Sequence, residues 1–315
     1  MLKTIIKFSS LVYAVLLPAL LLCIPLTAIS DESITPSHIF QITEDIISEV
    51  EILRETIGVD EEASEPEEQQ DKSAIQVYSK GLEVLEKIAK SQRKLGISPV
   101  KVGEIPLKEV NSADVNRLVK VILLELQRIK KQLVITEEIK AATLVGAKMY
   151  SHVYENLWFA SYMLDGLIPP IKPKDVYRNI QYLQDELRLI ATNLNVPNLL
   201  LKADEIDGRK RLKDIGQQAL LALYKISDLE NRLPGMTAAT VPQITLVRIR
   251  SSDIYDLTNM LLAEMVRIKV HLKISLPRGQ HGLPGRVKPN DVFAQMRLVV
   301  VNLEKIIKAI ATRKD

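Results

Sequence analysis

Apolar positions recur along this chain with a period near 38 residues. The pattern is clearest at two segment starts, Lys172-Pro173-Lys174-Asp175-Val176-Tyr177 and Lys288-Pro289-Asn290-Asp291-Val292-Phe293. Related starts are Thr35-Pro36-Ser37-His38-Ile39-Phe40, Ser151-His152-Val153-Tyr154 and Arg250-Ser251-Ser252-Asp253-Ile254-Tyr255. With the Asp-equivalent as position 0, the anchors are His38, Gln76, Asp114, His152, Asp175, Asp214, Asp253 and Asp291. Their spacings are 38, 38, 38, 23, 39, 39 and 38, so the register breaks only between the fourth and fifth members.

Position 1 is Ile or Val in all eight members, and position 2 is aromatic in six. Positions 12 and 19 are always apolar, and positions 8 and 15 mostly so. The set 1, 8, 12, 15, 19 falls on one stripe of a 3.6-residue helix, so each member reads as one amphipathic helix of about twenty residues plus a connection. Pro36, Pro173 and Pro289 fall where the first helical residue belongs, because proline's missing N–H has no intrahelical partner there. An acid two residues later, as at Asp175 and Asp291, faces the unpaired N–H groups and positive end of the helix. The anchors therefore read as helix starters. The pattern predicts helices near 37–58, 71–95, 112–134, 137–167, 173–195, 203–233, 251–274 and 289–312.

The first four members superpose on the last four with an offset near 138, as when Leu85-Glu86-Lys87-Ile88 meets Leu223-Tyr224-Lys225-Ile226. The expectation is an all-α protein built by tandem duplication of a four-helix, bundle-like unit, residues 31–170 and 171–315. A continuous superhelical stack is the alternative. The run 60–71 carries seven acids in twelve residues and is expected to be a disordered loop.

Composition supports helices: 47% of residues are hydrophobic but only 4% aromatic, with 12 glycines in 315 residues, a poor mixture for a sandwich or barrel. Residues 31–170 hold 16 Lys+Arg and 24 Asp+Glu, net −8, whereas residues 171–315 hold 24 and 15, net +9. Near-neutrality overall thus hides a dipolar molecule, whose halves could complement each other within one chain or head to tail between chains, or whose basic half could meet an anionic membrane surface or an acidic partner. Nucleic acid is not expected, since the aromatics sit at helix-packing positions rather than among the bases.

Residues 1–30 read as a secretory signal: Lys3 and Lys7, an apolar stretch from Leu11 to Leu26, then Ala28-Ile29-Ser30 as a cleavage site. Cutting after Ser30 would leave a periplasmic or secreted chain, and an uncleaved anchor is the alternative. It would also remove Cys23, the single cysteine.

Candidate chemistry is sparse. Position 11 alternates as Glu49, Lys87, Glu125 and then Glu186, Lys225, Glu264, at the flank of the apolar stripe. These residues are expected to form one Glu–Lys–Glu cluster per unit that fixes helix register. No Glu-x-x-His pair accompanies them, and no Gly-x-Ser-x-Gly, His-Glu-x-x-His, phosphate-cradling glycine loop or Cys-x-x-Cys-His occurs. No metal, cofactor or enzymatic reaction is expected. Tyr150, Tyr154, Trp158, Phe159 and Tyr162 concentrate aromatic mass in the fourth helix, either as packing between the halves or as a ligand pocket or docking face. The functional expectation is an exported helical scaffold or adaptor that binds a protein partner or itself. A small-ligand or sensory module near Trp158, or a peripheral binder of anionic membrane, is the alternative.

Overall fold

The computed structural model describes residues 34–312 apart from Gln243, Gln280 and Leu283. The segment expected to be a signal, with Cys23 and the expected cut after Ser30, lies outside the described residues. The described residues are all-α, with eight α-helices: α1 Pro36–Ile57, α2 Ala74–Lys94, α3 Ser112–Gln132, α4 Tyr150–Asp165, α5 Pro173–Asn193, α6 Leu212–Arg232, α7 Ser251–His271 and α8 Pro289–Ala311. A single 3₁₀ turn, Leu246–Arg248, precedes α7.

All eight anchors occupy the third helical position, and every one reaches back to the N-cap backbone N–H. His38 accepts from Thr35 at 3.2 Å, Gln76 from Ser73 at 2.7 Å, His152 from Met149 at 3.0 Å and Asp291 from Lys288 at 2.8 Å. Asp114, Asp175, Asp214 and Asp253 do the same. One side chain thus satisfies a donor that the helix leaves unpaired. At the other end, five helices close with a residue in the left-handed region, Gly58, Gly96, Val134, Asn195 or Lys273. The next N–H returns to the last turn, as from Ile135 to Lys130 O at 3.0 Å and Ile274 to Lys269 O at 2.8 Å.

Two helices are shorter than the pattern predicts. The fourth begins at Tyr150 rather than 137, and the sixth at Leu212 rather than 203. In both cases a connection of about seventeen residues precedes the helix, and its apolar residues mimic further turns of the helical stripe. The acidic run 60–71 is also anchored rather than loose. Gln69 is buried, its N–H donates to Glu155 at 2.6 Å, and Arg54 donates to the Glu61 carbonyl.

Those long connections decide the topology. A helix of 21 residues is about 30 Å long, and seventeen extended residues easily span it. Successive helices can therefore run the same way. Starts meet starts: Lys148 donates to Ser37 at 3.1 Å and Ser112 bonds Tyr150 at 2.6 Å. Ends meet ends, as where Arg54 of α1 donates to the Met163 carbonyl of α4 at 2.5 Å. α1 to α4 thus form a parallel bundle in which α1 packs on α3 and α4, and α2 packs on the same two. α1 and α2 lie diagonally opposite, as do α3 and α4.

The second bundle repeats this member for member, α5 and α6 each packing on α7 and α8. Between α4 and α5 only seven residues intervene, and there the direction reverses. The bundles meet through α2 and α7, which are the two most deeply buried helices. Contacts such as Gln76–Glu264, Glu83–Asn259 and Tyr255–Glu86 run antiparallel along them.

Candidate functional site

The position-11 residues do not assemble as the expected Glu–Lys–Glu clusters. Glu49 pairs with Lys130 at 2.7 Å, Lys87 with Asp165 at 2.7 Å, and Glu125 with Arg128 at 3.0 Å and Gln92 at 2.6 Å. Glu186 pairs with Lys269 at 2.6 Å, Lys225 with Glu304 at 3.0 Å, and Glu264 with Arg267 at 2.6 Å and Gln76 at 2.5 Å. Diagonal placement keeps Glu49 of α1 from Lys87 of α2, and between neighbouring helices the pairs form across unequal positions rather than at equal height.

The pairs that do form repeat between the halves. Position 11 of the first helix meets the lysine at position 16 of the third, in Glu49–Lys130 and in Glu186–Lys269. Position 11 of the second helix meets the acid at position 13 of the fourth, in Lys87–Asp165 and in Lys225–Glu304. Position 16 of the second helix accepts a connection N–H in both halves: Gln92 from Val100 at 2.7 Å and Glu230 from Ala239 at 2.6 Å. Duplicated polar ties therefore hold each bundle in register.

The seam between bundles is also polar. Lys80 lies 2.9 Å from Glu83, which accepts from Ser161 at 2.7 Å, and Lys87 lies 3.4 Å from Asp256 of α7. Burial, with Glu83 next, pushes the Asp256 carboxyl up to about 8, so at neutral pH it holds a proton. Glu83 stays ionised because the Lys80 and Lys87 ammonium groups outweigh its burial. The cluster thus sets Lys80 and Lys87 against Glu83 and Asp165, with the Arg250 guanidinium 3.9 Å from Asp165 at its edge. A second knot joins Glu230 and Glu264 on one guanidinium, Arg267, at 2.6 Å each, and burial drives Glu230 up to about 9.

The aromatic residues of α4 supply packing at this seam. Trp158 is 2% exposed, with the Tyr154 and Tyr162 rings 5.9 Å and 5.7 Å from its own and Lys80 5.3 Å away. Tyr150 bonds Ser112, and Phe159 is half-buried against the core. The cavity beside Tyr154 measures about 20 Å³, room for about one water molecule rather than an organic ligand. An open hollow of about 890 Å³ near the start of α8 carries Lys202, Arg209, Lys210 and Lys288. Asp204, Glu205 and Asp291 share it, leaving little net charge. Among the described residues no three His, Cys, Asp or Glu side chains converge as metal ligands, and no helix is long and apolar enough to cross a membrane.

What the helices leave uncovered is more specific. Within the helices and away from their ends, the exposed large apolar side chains among the described residues are Val121 and Leu124 on α3, and Leu221 and Tyr224 on α6; others, such as Leu201, Val247 and Leu276, lie in the connections. Leu124 is 63% and Tyr224 59% exposed. All four occupy positions 7 and 10 of their repeats, opposite the core stripe. The same positions are Glu83 and Glu86 in α2 and Met260 and Ala263 in α7, residues of the seam where the bundles join. Two apolar residues on an otherwise polar face leave the helical period unchanged, so the hydrophobic pattern of the sequence does not mark them.

The fold and its ties define an all-α protein of two duplicated parallel bundles mated antiparallel. No known protein family, curated protein or solved structure matches the chain significantly.

Proposed function

We propose that the protein is an exported, non-enzymatic helical scaffold of the cell envelope that engages protein through the outer faces of α3 and α6. The observation that carries this reading is the placement of Val121, Leu124, Leu221 and Tyr224 at seam-equivalent positions on otherwise largely polar outer faces. Exposed apolar groups in such a setting are the usual anchors of protein contacts, aromatic ones above all. The charged and aromatic residues singled out from the sequence support the same reading, because they are engaged in ties within and between the bundles.

The test is site-specific photocrosslinking in cells. A photoreactive residue at Leu124 or Tyr224 is expected to give defined protein adducts. The same residue at Glu51, exposed on α1, is expected to give none. Absence of protein adducts from both Leu124 and Tyr224 would remove the reading.

A further inference from the structure

We propose that the partner on these faces is a second copy of the same chain, docked head to tail, α6 of one molecule against α3 of the next. The proposal rests on the scaffold reading and names its partner. Within one chain, the bundles join unequally. The first contributes its second helix, α2, and the second contributes its third helix, α7. A contact between unlike faces of equivalent units uses each face once, so one third helix, α3, and one second helix, α6, remain open. Duplication of a four-helix unit that once associated in this way captures one junction inside the chain and leaves its two halves at the ends.

The surfaces fit that occupant. Carrying the register of Glu83–Asn259 and Glu86–Tyr255 across sets Leu221 beside Lys120, Tyr224 beside Asn116 and Arg117, and Gln217 beside Leu124. Lys90 of the second helix lies 4.3 Å over the Tyr255 ring of the third in the internal seam; in the outer junction the roles are exchanged, with the ring, Tyr224, on the second helix and Arg117 of the third beside it. The outer face of α3 is cationic, with Arg117, Lys120, Arg128 and Lys131 around Val121 and Leu124. The outer face of α6 holds Gln217, Leu220, Leu221, Tyr224, Asp228 and Asn231, with Lys213 one turn before Gln217 and Arg232 paired to Asp228 at 2.9 Å near its end. At longer range, the contact brings the +9 half of one molecule to the −8 half of the next. Lys225 and Arg117 approach in this register, and each already has an acid of its own, Glu304 at 3.0 Å and Asp114.

Cysteine crosslinking of the full chain, expressed with its own N-terminal segment and Cys23→Ser, tests this directly. Mild oxidation of cells carrying L124C with Q217C is expected to yield a ladder of dimers, trimers and higher species. L124C alone should give at most a dimer. L124C with N231C, whose second cysteine lies roughly 20 Å further along α6, should give no ladder. Adding Y224D to the L124C/Q217C chain should abolish the ladder with far-UV circular dichroism and melting temperature unchanged. A missing ladder, or one equally strong with N231C, overturns the head-to-tail proposal. Should photoreactive Leu124 then capture a different protein, the scaffold reading survives alone. If it captures nothing, both fall.

Discussion

Lys87 and Lys225 occupy the same repeat position and face the same kind of acid, yet their surroundings differ, and that difference sets a quantitative test. Lys87 is fully buried, 2.7 Å from Asp165, 3.4 Å from Asp256 and 3.2 Å from the Ser161 carbonyl. Lys225 is 31% exposed, and its partner Glu304 is half-exposed. Lys87→Met keeps the unbranched apolar stem, one atom shorter, and removes the charge, leaving Asp165 and Glu83 in a cluster short of one cation. Removing one partner of a buried pair costs about 3–5 kcal/mol, a large part of a total stability of order 10. Lys225→Met breaks a solvated pair worth about 0–1 kcal/mol. In thermal unfolding followed by circular dichroism at pH 7, the first substitution should lower the melting temperature by roughly 6–15 °C and the second by about 2 °C or less. Adding Asp165→Asn should return part of the first loss. Added salt should erase the second loss while leaving the first, because buried pairs are screened far less. Equal losses for the two lysines would refute the assignment of α2 to a buried seam and of α6 to the surface.

Other outcomes follow from the same geometry. Asp256 and Glu230 titrate near 4 in an unfolded chain but at about 8 and about 9 in the folded one. Their contribution to stability is therefore fully present below about pH 4 and is lost as pH rises through 8 to 9. Denaturant titrations between pH 6 and 9.5 should show that decline. Asp256→Asn should flatten part of it, and a stability that climbs over this range would contradict the protonated seam. Val134 is exposed, β-branched and held at φ +57°, so Val134→Gly should raise stability by about 1 kcal/mol in urea unfolding. A loss there would mean that its backbone conformation costs nothing. Trp158 should emit as a buried indole and resist iodide quenching until the protein unfolds; ready quenching of the native state would place it at the surface.

Much of the fold was legible because helix starts and core stripes are local chemistry. Each anchor must satisfy a backbone donor three residues away, and that requirement leaves the same mark whether Asp, Gln or His meets it. The repeat length also contained the parallel topology, since 38 residues exceed one helix by a full return journey. That clue was obscured where residues 137–149 and 203–211 carry apolar side chains that mimic further turns. Pairing was harder to read. A lysine at position 11 shows only that it flanks a core; whether it meets position 11, 13 or 16 of a neighbour depends on which helices are diagonal. The seam was hidden for a related reason. Lys80, Glu83 and Glu86 look like a solvated face, and only Asp256, Asn259 and Tyr255, some 170 residues away, reveal that it is covered.

Diagonal placement of consecutive helices also governs how the chain can assemble as it is made. In a helical hairpin the second helix covers the first within a few residues, so nascent structure is local and quick. Here the apolar stripe of α1 finds no cover in α2 and must wait for α3, which begins at Ser112. The stripe of α2 waits equally long for its own flanks, and the ring closes only once Asp165 has been added. No two or three helices form a self-sufficient piece, so folding of each half should be all-or-none and slow for a helical protein, with unsheltered stripes exposed to chaperones until its fourth helix arrives.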